Sequence, residues 1–304
     1  MNTKFPFRRR AITAIVASVF ILGACGGQGS ETADSAPASS EQSLKIVSLS
    51  PTATEMLYAI GAGNQVVAVD SLSTFPAEVE PKVTKISAYE PSAEAILAYE
   101  PDVVLISNDM NKITEQLTSA DPDIKVWTGA AAASLDDVYK QISELGALTG
   151  RVDNANEVVS SMKARIDAAI PKSRWGIVYP VYYELDNTFY SVTSNTFVGS
   201  LLSELGMKSI ADGAEEGNDY PQLNAEAIVK ANPTIIFLAD TKCCQQTAAT
   251  VAARAGWSGI AAVEYGNVIE LDDDIASRWG PRIVDLIEQF AKAYSSAMEK
   301  AAGK

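Results

Sequence analysis

The sequence predicts an α/β fold of two lobes, each with a parallel sheet, joined by a single long α-helix. First, the phrase PSAEAILAYEPDVVLISND, which begins at Pro91, recurs as LNAEAIVKANPTIIFLADT from Leu223, without a gap and at an offset of 132 residues. Second, short apolar runs alternate with helical stretches, which is typical of parallel sheets covered on both faces. Third, residues 152–169 between the two halves contain no Pro or Gly and place apolar residues near helical spacing.

The first half supplies the elements of an N-terminal lobe at residues 44–134. An apolar strand from Lys45 runs into Pro51, where small polar residues can cap a helix, Glu55 favours its first turn and Gly61 can close it. The other predicted elements follow in alternation, namely a strand at 65–69, a short helix at 92–99, a strand at 102–107, a helix at 112–119 and a strand at 124–127.

The second half supplies a C-terminal lobe at residues 171–304. Its predicted elements are a strand at 175–183 that residues 190–192 extend or pair with, helices at 195–206 and 225–231, strands at 234–239 and 268–271, and a final helix at 281–299. Between the lobes, residues 135–170 form a linking helical segment that is interrupted near Gly150. Because a helical hinge is stiffer than two crossing strands, we expect the lobes to move relative to each other by only a few degrees.

Residues 1–25 have the pattern of an export signal. Lys4 and three arginines precede an apolar stretch of 12 residues, which is shorter than the roughly 20 residues that span a bilayer. The stretch ends in Leu22-Gly-Ala-Cys25, which resembles a bacterial lipobox, so Cys25 is the expected lipidation site. Residues 26–43 are rich in Gly, Ser, Ala and acids and are predicted to be a flexible tether.

The composition excludes several function classes. The formal charge is −14, or about −18 once the four cations of the signal are removed, which is unsuited to binding nucleic acid. His is absent from the chain, and no G-x-S-x-G elbow or P-loop is present, so we do not expect an enzyme. Once Cys25 is lipidated, Cys243 and Cys244 remain; a vicinal disulfide and two free thiols both stay open, and neither residue is assigned a function.

Four segments carry a resemblance to a known family, namely IVSLSPTATEMLYAIGAG, PSAEAILAYEPDVVLIS, YPQLNAEAIVKANPTIIF and DDDIASRWGPRIVDLIEQ. In this order they resemble the substrate-binding proteins of ABC importers for iron–siderophores, haem and cobalamin. The resemblance covers residues 44–300 and implies two Rossmann-like lobes bridged by one long helix. It also implies a monomer outside the cytoplasm, anchored to the membrane through Cys25, that delivers a small molecule to an ABC permease dimer with its ATPase.

The resemblance suggests a function for the acid that occurs at the same place in both copies of the repeat. In this family, matching acids at the tips of the two lobes meet arginines on the two permease subunits, which makes Glu94 and Glu226 the docking residues. An alternative explanation is local, because an acid in the first turn of a helix gains about 0.3–1 kcal/mol from the helix dipole. Both explanations can hold at once.

Ligand-binding residues follow from the cobalamin-binding branch of the family, carried over position by position. They are Thr52, Tyr89, Tyr190, Tyr220, Asp274 and Arg278, and Trp279 adds another aromatic face. The tyrosines suit a flat macrocycle with a polar edge, and the alternative for each is an aromatic residue of the lobe surface or core. Asp274 and Arg278 stand four residues apart, so they are either an ordinary i,i+4 salt bridge or partners for the amides around a corrin.

Two departures from the cobalamin branch bear on the ligand. Leu72 and Ser107 stand where that branch has aromatic residues. We therefore expect cobalamin or a related corrinoid as the ligand, with an iron–siderophore as the alternative. Haem commonly takes a His, Tyr or Met ligand, and zinc or manganese receptors depend on His clusters, so the absence of His argues against these metals. No cofactor is expected, since the metal chelate is itself the ligand.

Overall fold

The computed structural model describes residues 43–170 and 177–302. The predicted signal segment with Cys25, nearly all of the predicted tether and the start of the first strand of the second lobe lie outside the described residues. No helix within the described ranges is long and apolar enough to cross a bilayer.

The N-terminal lobe is built on a parallel sheet of four strands in the order β2-β1-β3-β4. The strands are β1 Ile46–Leu49, β2 Val66–Val69, β3 Val103–Ile106 and β4 Lys125–Thr128. The central strands β1 and β3 are buried along their whole length. Such strands are covered on both faces, as their continuous apolar runs predict.

The C-terminal lobe repeats this arrangement, with a parallel sheet in the order β6-β5-β7-β8. Its strands are β5 Tyr179–Glu184, β6 Met207–Ser209, β7 Ile235–Leu238 and β8 Val268–Glu270. The repeated phrase supplies the same inner strand in each lobe, β3 and β7. The prediction of two parallel-sheet lobes is therefore confirmed. Residues 190–192 do not extend β5; Tyr190 instead forms an isolated antiparallel bridge with Gln222.

Helices cover both sheets. They are α1 Pro51–Ala59, α2 Ala93–Leu97, α3 Ile113–Ala120, α4 Leu135–Thr149, α5 Val152–Ala169, α6 Phe197–Glu204, α7 Ala225–Ala231, α8 Ala248–Ala252, α9 Ala261–Glu264, α10 Asp273–Ala276 and α11 Ile283–Ala302. Their starts show the expected caps, since Ser50 accepts a hydrogen bond from the Ala53 amide at α1. The short helices α8, α9 and α10 and the three-residue strand β6 were not among the predicted elements.

The linking segment consists of α4 and α5, separated by Gly150, whose φ of 70° ends α4 in the left-handed conformation. The two helices approach closely, because a Cβ on Gly146 would lie 2.5 Å from the Cβ of Ala155. On its other side α5 contacts α11, where Arg165 bonds both Asp285 and Glu288. The joining helix is thus held along its length by the final helix of the chain.

Each sheet divides its side chains between two apolar clusters. One face of the first sheet, including Val47 and Val104, forms a cluster of its own, and so does the outer face of the second sheet. The inner faces of both sheets belong to a single cluster whose members run in sequence from Ile46 to Ala297 and include residues of α4, α5 and α11. One of the three clusters among the described residues therefore contains side chains of both lobes.

Candidate functional site

Two adjoining cavities lie beside the segment Ser277–Trp279, which connects α10 to α11. The first has a volume of about 450 Å³ and is lined by that segment, by Asp274 and by the loops that follow β1, β2 and β3. The second has a volume of about 300 Å³ and is lined by the same segment and by residues that include Tyr183 and Phe197. The carboxyl ends of parallel strands are where α/β proteins place their ligands.

Arg278 joins the two lobes within this cleft. Its Nη2 donates to Asp274 Oδ1 at 2.6 Å and to the carbonyl oxygen of Leu72, in the other lobe, at 3.2 Å. The second oxygen of Asp274 accepts from Lys242 Nζ at 2.8 Å. The Arg278 side chain is only 14% exposed. The Asp274–Arg278 ion pair thus exists, and it lies in the wall of a cavity rather than on an open helix surface.

The predicted aromatic residues occupy different places. Tyr89 lines the first cavity and is 66% exposed, whereas Tyr220 lines the second and is 55% exposed. They belong to opposite lobes. Trp279 lines both cavities, and its Nε1 donates to Gln141 Oε1 at 3.2 Å, which fixes the ring. Tyr190 is not among the residues that line the two cavities.

Thr52 lies in the first turn of α1, is buried and lines the first cavity. The two departures from the expected cobalamin-binding pattern, Leu72 and Ser107, also line it. Leu72 is 45% exposed and offers an apolar face at a position where the resemblance led us to expect an aromatic ring. The cavity therefore keeps an apolar surface at this point without the larger ring.

Sequence reasoning missed one charged residue of the first cavity, Asp70. It follows β2 directly and is fully buried, with Oδ1 accepting from Ser73 Oγ and Oδ2 without a hydrogen-bond partner among the described residues. Burial raises the pKa of Asp70, while hydrogen bonds from Ser73 and the charge of Arg278 oppose that rise. An acid that ends the apolar run VVAV is the one signal in the sequence that marks it.

Glu55 and Arg282 form a second link between the lobes that the sequence did not reveal. Glu55, on α1, is 3% exposed, and its Oε2 accepts from Arg282 Nε at 2.8 Å. Its Oε1 accepts from the Arg282 backbone N–H at 3.0 Å. The guanidinium also lies 3.7 Å from the centre of the Phe75 ring. This buried pair lies outside both cavities, where it holds the start of α11 against α1.

A third buried charge cluster lies at the carboxyl ends of β5 and β7. Glu184 is fully buried and accepts two hydrogen bonds from Arg254, at 2.5 and 2.6 Å. Asp240 is also fully buried, and neither of its carboxyl oxygens has a partner within the described ranges. Burial, followed by the charge of Glu184, raises the pKa of Asp240 to about 7. One cation thus faces two buried acids, and only Glu184 is bonded to it.

Glu94 and Glu226 lie at equivalent places in the two lobes. Each is the second residue of a short helix, α2 or α7, and each is exposed. The helices are capped alike, because Ser92 and Asn224 each accept a hydrogen bond from the backbone N–H three residues on. Neither acid lines the two cavities. The first-turn position of both acids also fits the local, helix-dipole explanation.

Neither free cysteine lines the two cavities. Cys243 and Cys244 are free thiols that form no disulfide, and Cys243 is exposed. Within residues 43–170 and 177–302, no group of three or more Cys, Asp and Glu side chains is arranged to hold a metal ion.

Comparison with known proteins places the chain in a family. The sequence profile of the family described as periplasmic binding protein matches residues 46–275. A Bacillus subtilis protein named as an ABC transporter substrate-binding lipoprotein is 32% identical over 82% of this chain and 79% of its own length. A Halobacterium salinarum protein named cobalamin-binding protein is 29% identical over 82% of this chain and 69% of its own.

A solved structure shows the same fold. It comes from Staphylococcus epidermidis and is described as a possible iron-binding, periplasmic solute-binding protein; it is 26% identical, with a TM-score of 0.68 over 82% of this chain and 97% of its own. The fold, the cleft between the lobes and the match to the sequence profile all indicate the same family. The chain belongs to the periplasmic binding protein family, whose members are solute-binding components of transport and not enzymes.

Proposed function

We propose that this protein is the lipid-anchored, extracytoplasmic substrate-binding component of an ABC importer, and that it captures cobalamin or a related corrinoid. The observation that carries the choice of ligand is the pair of exposed tyrosines, Tyr89 and Tyr220, on opposite lobes of the cleft. Rigid aromatic faces bury a large area of a flat ring at a small cost in conformational entropy. The relative named cobalamin-binding protein supports the same choice.

The polar groups of the cleft suit the edge of a corrin. Its peripheral amides each carry an N–H donor and a carbonyl acceptor. Asp274 offers an acceptor and Arg278 offers donors, and both line the first cavity together with the Thr52 hydroxyl. Trp279 would add a third aromatic face between the two cavities. Tyr190 lines neither cavity and is held in a bridge with Gln222, so the proposal gives it no direct contact with the ligand.

An iron–siderophore is the second candidate. The solved structure described as a possible iron-binding protein favours it, as does the presence of a cation, Arg278, in the cleft. Against it, Arg278 is paired with Asp274 at 2.6 Å, so the carboxylate of Asp274 offsets part of the positive charge that an anionic iron complex would meet. For this reason we place the corrinoid first.

Delivery to the permease would use Glu94 and Glu226. Their matching positions, exposure and caps give each lobe the same acidic tip, and a dimeric permease with two-fold symmetry needs one contact per lobe. Lipidation of Cys25 would hold the protein at the outer face of the membrane, near that permease. The relative named as a lipoprotein supports this anchor.

Difference absorption spectra would test the ligand directly. Purified protein is incubated with cyanocobalamin, with ferric siderophores or with haem, passed through a desalting column and scanned. We expect the cyanocobalamin bands to stay with the protein at a ratio near one. Retention of a ferric siderophore or haem band alone would refute the corrinoid assignment while leaving the family intact.

A further inference from the structure

The charges that line the two cavities are unbalanced. Among the described residues that form their walls, Arg278 is the cation, and Asp70 and Asp274 are the acids. Arg278 is bonded to Asp274, whose other oxygen is bonded to Lys242. Lys242 is in turn bonded to Asp272. Asp70 therefore stands in the wall as an acid that lacks a bonded cation of its own.

The buried position of Asp70 strengthens its electrostatic interaction with a molecule bound in the first cavity. The residue is fully buried and lines the first cavity, and its Oδ2 atom has no hydrogen-bond partner in residues 43–170 and 177–302. Burial raises the pKa of Asp70, but it also means that the interaction of the ionised carboxylate with a bound molecule is screened far less than that of a surface acid. A ligand that replaces water in the cavity strengthens this interaction further.

We propose that Asp70 selects ligands by charge, so that the cleft accepts neutral or cationic chelates that present hydrogen-bond donors and rejects chelates that carry exposed anionic groups. This inference rests on the proposed function as a chelate-binding protein, and it narrows the substrate class within that function. It applies to a cobalt or an iron chelate alike, because the selection acts on the charge of the organic groups.

The physical cause of this selection by charge is the same for cobalt and iron chelates. Like charges brought together at an interface are strongly disfavoured, whereas an amide N–H presents a positive end to a carboxylate. Arg278 is paired with Asp274, and the carboxylate of Asp274 offsets part of the attraction of Arg278 for an incoming carboxylate. The binding of a neutral amide does not depend on that attraction.

Two pairs of probes separate charge from metal. The first pair is dicyanocobinamide, whose side chains are amides, and dicyanocobyrinic acid, which carries carboxylates in their place. The second pair is a neutral ferric trihydroxamate and a trianionic ferric tricatecholate. Titration by intrinsic tryptophan fluorescence or calorimetry gives the ratio of Kd values within each pair, and the ratio is the quantity that the inference predicts.

The informative variant is Asp70→Asn, because Asn keeps an oxygen to accept from Ser73 while its amide takes the place of the unpartnered Oδ2. Asp70→Ser removes the charge with a smaller side chain and guards against a folding defect of the first variant. Asp123→Asn, at an exposed site of the same lobe, removes one charge without touching the cleft. Melting curves of all variants establish that they are folded.

We expect the wild type to bind the less anionic member of a pair more tightly than the anionic member. Both Asp70 variants should lower the ratio of the two Kd values about tenfold, because the repulsion between Asp70 and the anionic ligand is lost. Asp123→Asn should leave the ratio unchanged. An unchanged ratio in folded Asp70 variants, or a wild type that prefers the anionic member, would overturn the inference. The proposed function is judged separately, by which pair binds: binding of the iron pair alone would refute the corrinoid and still report on Asp70, and binding of neither pair would refute both.

Discussion

The Glu55–Arg282 pair allows a quantitative prediction about how the lobes are held together. Glu55→Ala removes a carboxylate that accepts from the Arg282 side chain at 2.8 Å and from its backbone N–H at 3.0 Å. It leaves a guanidinium whose side chain is 18% exposed. Removal of one partner of a buried ion pair costs about 3–5 kcal/mol, because the other charge stays buried without compensation.

Two features place the cost at the lower end of this range. Arg282 keeps its contact with the Phe75 ring at 3.7 Å, and a cation–π contact of a partly desolvated group contributes about 0.5–2 kcal/mol. The guanidinium also reaches some water. We therefore expect Glu55→Ala to lower the free energy of unfolding by about 3 kcal/mol.

Urea denaturation followed by tryptophan fluorescence would measure this change, with the m-value showing whether the transition stays comparable. Glu100→Gln is the matched control, since Glu100 pairs with Lys45 at the same distance of 2.8 Å but is 82% exposed. Breaking such a surface pair should cost at most about 1 kcal/mol. A loss of less than about 1 kcal/mol in Glu55→Ala would refute the argument that this buried pair locks the lobes together.

The other predictions concern the cleft, the docking surface, a buried acid and the anchor. Arg278→Ala should weaken ligand binding by about 1–3 kcal/mol in calorimetry, since a buried polar partner is left unmatched, and wild-type affinity in a folded variant would demote the residue to a structural salt bridge. The double variant Glu94→Lys/Glu226→Lys should bind ligand normally yet fail in uptake and in stimulation of the transporter ATPase, whereas normal uptake would leave the acids a purely local, helix-start role. Because its folded pKa of about 7 exceeds the ordinary value of 3.8, Asp240 holds a proton in the folded state at pH values where the unfolded chain has lost it, so stability should fall as pH rises from about 4 to 7. Asp240→Asn should flatten that part of the melting temperature profile, and an identical profile in the variant would contradict the assignment. Cys25→Ser should move the protein from the membrane fraction or leave its signal uncleaved, and unchanged membrane retention together with no lipid mass on the wild-type N-terminus would end the anchoring proposal.

The parts of the fold that the sequence revealed are those governed by local pattern. The repeated phrase identified β3 and β7 because each contains a continuous apolar run that is bounded by polar residues, and a run this short fits a buried strand better than a helix. In contrast, β6 has three residues, and only Met207 and Ser209 are buried, which is too short a pattern to distinguish from a loop. The antiparallel bridge at Tyr190 depends on Gln222, which lies 32 residues further along.

The positions of the proposed ligand-binding residues came from the family resemblance and not from local sequence patterns. Five of the six ligand residues carried over by resemblance line the two cavities, and Tyr190 does not. Asp70 was missed because its one sequence signal, an acid that ends the apolar run VVAV, does not show whether that acid is buried or solvated. The partner of Glu55 lies 227 residues away, so no local pattern could have paired it with Arg282. Charge pairs between residues this far apart in the sequence can be identified only from the folded structure.

The apolar cluster shared by both lobes has a consequence for the internal duplication. Each half of the chain repeats the plan of a self-contained domain, yet inner-face residues of both sheets lie in one cluster together with residues of α1, α4, α5, α6 and α11. If the chain were cut between the lobes, each fragment would expose the part of this cluster that the other fragment covers and would lose the burial that stabilises it. We therefore expect each half to be less stable alone than within the intact chain.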